Sequence, residues 1–303
     1  MSSFFNWWVI ILTLGNIFAC LWLIWWSTKR RPGEAAMGEV TGHTWDGDLE
    51  EYNNPLPRWW LYMFYLTIVF GLVYLALYPG LGNFKGVLGW SEVGQYNQEM
   101  KQAETKYAPI YAAYAKTPIP QLASDNKAMA TARRIFLANC ATCHGSDAGG
   151  APGRGFPSLS DSSWLYGGSP ATLVETITKG RQGAMPSMAA AIGGPQGVKE
   201  VANYVLSLSG QPHDAALAKQ GEPKFKTVCG ACHGANGKGS AANGIAGIGA
   251  PNLTDSFWLF GGSLAAIERT ITHGRSGLMP AWGDRLGADK VHLMAAYVYS
   301  LSQ

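Results

Sequence analysis

The sequence predicts an all-α protein in which two apolar helices precede a small helical domain present twice. Residues 1–28 hold no charged side chain and are apolar almost without break from Phe4 to Trp26. A second uncharged stretch runs from Trp59 to Phe84, its apolar centre ending at Tyr78 before a Pro79-Gly80 stop. Beyond about residue 126 the chain repeats itself element by element.

Each apolar stretch is long enough to span a bilayer. Aromatic residues at both ends favour a span over the buried helix of a soluble core. The first stretch has no basic residue before it and Lys29-Arg30-Arg31 after it, a poor fit to a cleaved signal peptide, so it is expected to stay. Lys29, Arg30, Arg31 and Arg58 all lie in the connection between the spans, which places that connection in the cytoplasm and both chain termini in the periplasm. The expected organisation is a span in 1–28, a connection in 29–57, a span in 58–80, a linker in 81–125, and the two copies in 126–211 and 212–303. Within the linker, residues 91–116 have helical composition, and Pro118 and Pro120 close it. The exported part carries 19 Lys and Arg against 14 Asp and Glu, an excess too small to point to nucleic acid or acidic partners.

The first copy reads Cys140-Ala141-Thr142-Cys143-His144-Gly145, Phe156-Pro157-Ser158-Leu159, Trp164-Leu165-Tyr166-Gly167-Gly168-Ser169, Met185-Pro186 and Tyr204-Val205-Leu206-Ser207-Leu208. The second repeats these in order, from Cys229-Gly230-Ala231-Cys232-His233-Gly234 through Trp258-Leu259-Phe260-Gly261-Gly262-Ser263 and Met279-Pro280 to Tyr297-Val298-Tyr299-Ser300-Leu301.

Cys-x-x-Cys-His is the spacing of c-type haem attachment. Cysteines three apart on one helical turn point the same way, so both thiols can add to the vinyl groups on one porphyrin edge while the next residue reaches the iron. A disulfide, a thioredoxin-like couple or half a zinc site competes for a lone Cys-x-x-Cys pair. Two copies, each with the adjacent His and a Met-Pro at matched distance, favour two covalently bound haem c groups and two tandem cytochrome c-like haem domains. A covalently held cofactor also gives a domain of under a hundred residues its apolar centre.

Met185 and Met279 are the candidates for the second axial position, since a soft thioether suits haem iron and raises its potential, and the following proline stiffens the loop. Met188 is a weaker candidate. His273 and His292 lack counterparts in the first copy, and the other methionines read as core filling. His43 and His213 read as solvated, and Cys20 as a packing residue. Trp164 and Trp258 are secondary haem contacts, each able to offer its indole N–H to a propionate or its ring to the porphyrin. Tyr204 and Tyr297 are expected to begin C-terminal core helices.

With these motifs in place, the layout closely resembles the dihaem subunit (subunit III) of cbb3-type cytochrome c oxidases over essentially the whole chain. The most discriminating stretch is the connection, His43-Thr44-Trp45-Asp46-Gly47-Asp48-Leu49 and Asn53-Asn54-Pro55-Leu56-Pro57-Arg58-Trp59-Trp60. The resemblance implies a bacterial inner-membrane oxidase subunit that relays electrons from a soluble periplasmic cytochrome c, with no catalytic centre of its own. It further implies a catalytic haem b/copper subunit and a monohaem cytochrome subunit as partners. Many members have one span, so the first is expected to add a packing surface. In that family the methionine of each half can also serve the haem of the other, a crossed pairing that spacing leaves open beside the direct one.

The main alternative is a membrane-anchored dihaem cytochrome subunit of a periplasmic dehydrogenase, against which the connection sequence argues. A dihaem peroxidase would need one iron to lose a ligand, and two matched Met-Pro elements argue against that.

Overall fold

A computed structural model describes residues 1–245 and 247–302. The chain folds as two compact units, Met1–Thr105 and Lys106–Gln303.

The first unit holds α1 (Ser3–Ser27) and α2 (Arg58–Leu77), both long and apolar enough to cross a membrane. Neither forms a soluble core: Ile24 is the one buried residue among the two, and Trp7, Trp8, Phe18, Trp22, Phe70 and their neighbours face outward. Cys20 lies on that exposed surface. Asn83 donates its backbone N–H to Asn6 Oδ1 at 2.6 Å, so the start of α1 sits beside the exit of α2, as a two-span hairpin requires. At the other end of α1, Lys29 and Arg31 lie over the rings of Trp25 and Trp26.

The all-α expectation fails first in the connection. Residues Val40–Trp45 (β1) and Leu49–Tyr52 (β2) pair antiparallel, with Trp45 opposite Leu49. Val, Thr and Trp suit a pleated surface, and Asp46-Gly47 turns the chain with positive φ at both residues. The His43 ring lies tilted against that of Trp45, with centroids 4.4 Å apart.

The linker helix α3 (Glu92–Ala115) matches its expected span within a residue and crosses from one unit into the other. In the second unit, α4 (Ile119–Leu122), α5 (Asn126–Asn139), α6 (Ala141–His144), α7 (Pro170–Lys179), β3 (Arg181–Met185) and α8 (Gly194–Leu208) form the first copy. The second contains α9 (Ala215–Lys224), α10 (Gly230–His233), α11 (Gly239–Ala242), α12 (Leu264–His273), β4 (Arg275–Met279), α13 (Gly283–Leu286) and α14 (Ala288–Leu301). A π turn, Phe225–Cys229, joins α9 to α10. Tyr204 and Tyr297 do not begin their helices: α8 starts at Gly194, with a proline in its first turn, and α14 follows Gly287.

The copies do not pack as separate domains divided at 211/212. The last helix of each completes the core of the other: α14 packs on α5, α7 and α4, and α8 on α9 and α12. One core joins Leu122, Phe136, Leu173 and Ile177 to Val291, Leu293 and Met294. The other joins Val201, Val205 and Leu206 to Phe225, Ile267 and Ile271. Because the copies share one apolar pattern, the hydrophobic period does not choose between the direct and the exchanged packing of α8 and α14.

The choice lies in the strands, the second departure from all-α. Antiparallel pairing sets Arg181 opposite Met279, Gly183 opposite Gly277 and Met185 opposite Arg275. The crossing is tight. Gly180 and Gly274 both have positive φ, and a Cβ on either would lie 2.3 Å from the carbonyl oxygen of Met279 or Met185, so a side chain at either position is excluded.

Two stability predictions follow from the exchange. Leu293, fully buried in the last helix, should cost about 2–5 kcal/mol when replaced by Ala, a loss read by thermal melts and expected to loosen the core containing Cys140 rather than the one containing Cys229. Glu200 of α8 is buried and held below the usual carboxylate range by hydrogen bonds from Lys224 and Gln196. A lowered folded pKa stabilises above the ordinary value of 4.5 and loses that contribution as pH falls through the folded value. Glu200→Gln should therefore flatten the acid limb of the stability profile, read by denaturation between pH 6 and 3.

Candidate haem centres

The two Cys-x-x-Cys-His segments form single helical turns, α6 and α10, each entered at its first cysteine. In the first, the N–H groups of Cys143 and His144 both donate to the Cys140 carbonyl, at 3.1 and 3.0 Å. All four thiols are free and half-buried. Burial, aided by the neighbouring Cys143, pushes Cys140 up to about 11, and burial with Cys232 does the same for Cys229. A thioredoxin-like couple needs a lowered thiol pKa, so these environments argue against that reading.

His144 Nδ1 lies 2.9 Å from the Pro157 carbonyl oxygen, and His233 Nδ1 lies 2.9 Å from that of Pro251. A carbonyl only accepts, so Nδ1 carries the hydrogen in both rings and the lone pair stays on Nε2. Burial lowers both imidazole pKa values, with the carbonyl hydrogen bond working weakly against it, and keeps the rings neutral. A neutral ring with one nitrogen anchored and the other free is how a metal-ligating histidine is oriented. The donor set therefore fits a haem iron. The role of the Pro157 and Pro251 carbonyls was not read from the sequence, although both prolines stand at matched places in the repeat.

The strand ladder sends the methionines to opposite cores. Met279 packs in the core with Cys140, Leu159 and Trp164, whereas Met185 packs in the core with Cys229, Leu253 and Trp258. Met188 also contacts the second core, but its counterpart in the first is Trp282. His273 is exposed at the end of α12, and His292 Nε2 is 2.8 Å from the Thr117 carbonyl oxygen, so both have other surroundings. His213 is exposed and bonds the Gln211 carbonyl. The indoles of Trp164 and Trp258 lie against Gly168 and Gly262, where an added Cβ would come within 2.6 Å of the ring. That contact accounts for the second glycine of each pair, and the positive φ of Gly167 and Gly261 accounts for the first.

Paired free thiols on one helical turn beside an imidazole with a free Nε2 are the arrangement of a haem-binding c-type cytochrome, here carried by a mostly helical chain with two candidate membrane helices. Two family descriptions match it. Residues 37–85 match the N-terminal domain of cytochrome oxidase-cbb3, FixP, and residues 127–205 and 216–298 match cytochrome c oxidase, cbb3-type, subunit III. The chain belongs to the cbb3-type cytochrome c oxidase subunit III family. It is 48% identical to the cbb3-type cytochrome c oxidase subunit CcoP of Rubrivivax gelatinosus, in an alignment covering 100% of this chain and 98% of the relative. It is 42% identical to the CcoP subunit of Azospirillum brasilense, covering 87% and 95%. The FixP subunit of Azorhizobium caulinodans is 40% identical, covering 91% and 97%.

Proposed function

We propose that the chain binds two haem c groups and relays electrons from a soluble periplasmic cytochrome c toward the haem b/copper catalytic subunit of a terminal oxidase, beside a monohaem cytochrome subunit. The observation that carries this reading is the exchange of methionines. Cys140, Cys143 and His144 would hold one haem together with Met279, and Cys229, Cys232 and His233 the second together with Met185. Bound haem c supplies an iron that takes up and releases one electron. His144 and His233 bind through Nε2, oriented by Pro157 and Pro251. A thioether opposite favours a high reduction potential. With a histidine and a methionine given to each iron, this chain's residues would serve electron transfer rather than bond chemistry.

Met185 and Met279 share one ladder face, four residues apart along it, which sets their Cα atoms roughly 14 Å apart. One rigid ribbon thus holds both sites at a fixed spacing.

Two spans anchor the relay in the bacterial inner membrane, with the connection in the cytoplasm and both termini in the periplasm. Lys29, Arg30, Arg31 and Arg58 in the connection support that orientation, and the Asn6–Asn83 bond, which brings the start of α1 and the exit of α2 together, supports the hairpin arrangement of the two helices. Gentle detergent purification of the tagged chain followed by pyridine haemochrome analysis tests the reading. Haem b, copper and oxygen consumption are expected in the same fraction; two haem c alone would favour a dehydrogenase subunit instead.

A further inference from the structure

Arg181 and Arg275 occupy matching places in β3 and β4 and are held in the same way. Each donates from Nε to a threonine hydroxyl, Thr176 or Thr270, at 2.9 Å. Each guanidinium lies over an aromatic ring, Tyr166 at 4.8 Å or Phe260 at 4.5 Å. Each is also the ladder partner of a candidate axial methionine, Arg181 of Met279 and Arg275 of Met185. Opposed residues of an antiparallel ladder emerge on the same face, so each guanidinium emerges beside the methionine of one core.

The two differ in what their terminal nitrogens meet. Arg181 bonds Glu175 at 3.4 Å. Arg275 pairs with no carboxylate among the described residues, and Arg269 stands where the first copy has Glu175. A half-buried guanidinium with its direction already fixed is a receptor for a carboxylate, which it can take with two parallel N–H bonds. Haem c carries two carboxylates into each core. We propose that Arg275 and Arg181 receive haem propionates, Arg275 at the Cys229 haem with its full charge and Arg181 at the Cys140 haem with its charge offset by Glu175. This rests on the two-haem reading above. A cation at the propionate favours the reduced iron, because net charge near the iron sets its potential. The pair of arginines therefore sets the potentials of the two haems separately.

The test is a potentiometric titration of the haem α-bands in the intact, detergent-purified assembly, after haem staining of the chain. Absence of covalent haem in the parent chain overturns the two-haem reading itself; attached haem with unmoved potentials overturns only this proposal. Arg275→Gln should lower the potential of the haem that is missing from the Cys229→Ala chain, by up to tenfold in its redox equilibrium, or 59 mV for a one-electron couple. The other haem should be unmoved. Arg275→Lys, which keeps the charge without the fork, should recover part of the shift. Glu175→Gln removes an exposed carboxylate and should raise the potential of the Cys140 haem alone. Neither variant moving a potential, or both moving the same haem, rejects the assignment. Unmoved potentials with weaker, salt-sensitive reduction by the donor would give Arg275 to an acidic partner protein instead. If Arg275→Gln loses its haem, the Glu175→Gln titration decides, and an unmoved Cys140 haem then rejects the proposal.

Discussion

Met279→Leu should leave both haems covalently attached and convert the haem at Cys140, not the one at Cys229, to a high-spin or low-potential form. Leucine fills the space and offers no ligand, so the iron loses its sixth partner while the thioether links and His144 remain. The assignment comes from packing: Met279 lies with Cys140, and Met185 with Cys229. It is decided by combining substitutions. In a chain whose first attachment site is removed by Cys140→Ala and Cys143→Ala, a further Met279→Leu should leave the spectrum of the remaining haem unchanged, whereas Met185→Leu should alter it. Direct pairing requires the opposite, so a changed spectrum on adding Met279→Leu would falsify the crossed assignment. Two competitors are tested in the same samples. Met188 touches the second core and could capture that iron once Met185 is gone, restoring a low-spin band. His292 is tied to the Thr117 carbonyl and should not.

The site residues were more legible in the sequence than the way the copies assemble. Cys140, Cys143, His144 and their counterparts announce themselves because attachment chemistry needs fixed spacing along one turn, and the structure forms those turns. The two apolar helices announce themselves because a bilayer needs length and the absence of charge. The exchange of α8 and α14 leaves no such mark. Val201, Val205 and Leu206 in one helix and Val291, Met294 and Val298 in the other satisfy the same period, so the apolar pattern does not say which core each helix joins. The crossing is visible in a pair of five-residue strands with glycine at their centres, too short and too weak in β propensity to be read as strands in isolation. The β1–β2 hairpin escaped for a different reason. Its Asp46-Gly47 turn signal was present, but the flanking strands do not alternate between buried and exposed residues, so the usual period of two gave no lead. Arg181 and Arg275 were passed over because a basic residue beside a Met-Pro loop carries no spacing rule of its own.

Removing one haem gives the largest expected structural effect, and the exchange reverses the region that suffers. Cys229→Ala combined with Cys232→Ala should halve the haem stain of the chain. It should also loosen the core that surrounds that cofactor, since a domain this small has little other apolar material to bury. In a chain of independent tandem domains, the loosened region would be 212–303 and the C-terminal helix would fray. Here α14 packs on α5 and α7, beside the intact Cys140 site, whereas α8 packs on α9 and α12. Limited proteolysis should therefore cut first in α8 and α9, between Gly194 and Lys224, while α14 stays protected at the far end of the sequence. The converse variant, Cys140→Ala with Cys143→Ala, should expose α14 and spare α8. The two patterns cannot both arise from sequential domains, because the protected helix in each case belongs to the copy that has lost its cofactor.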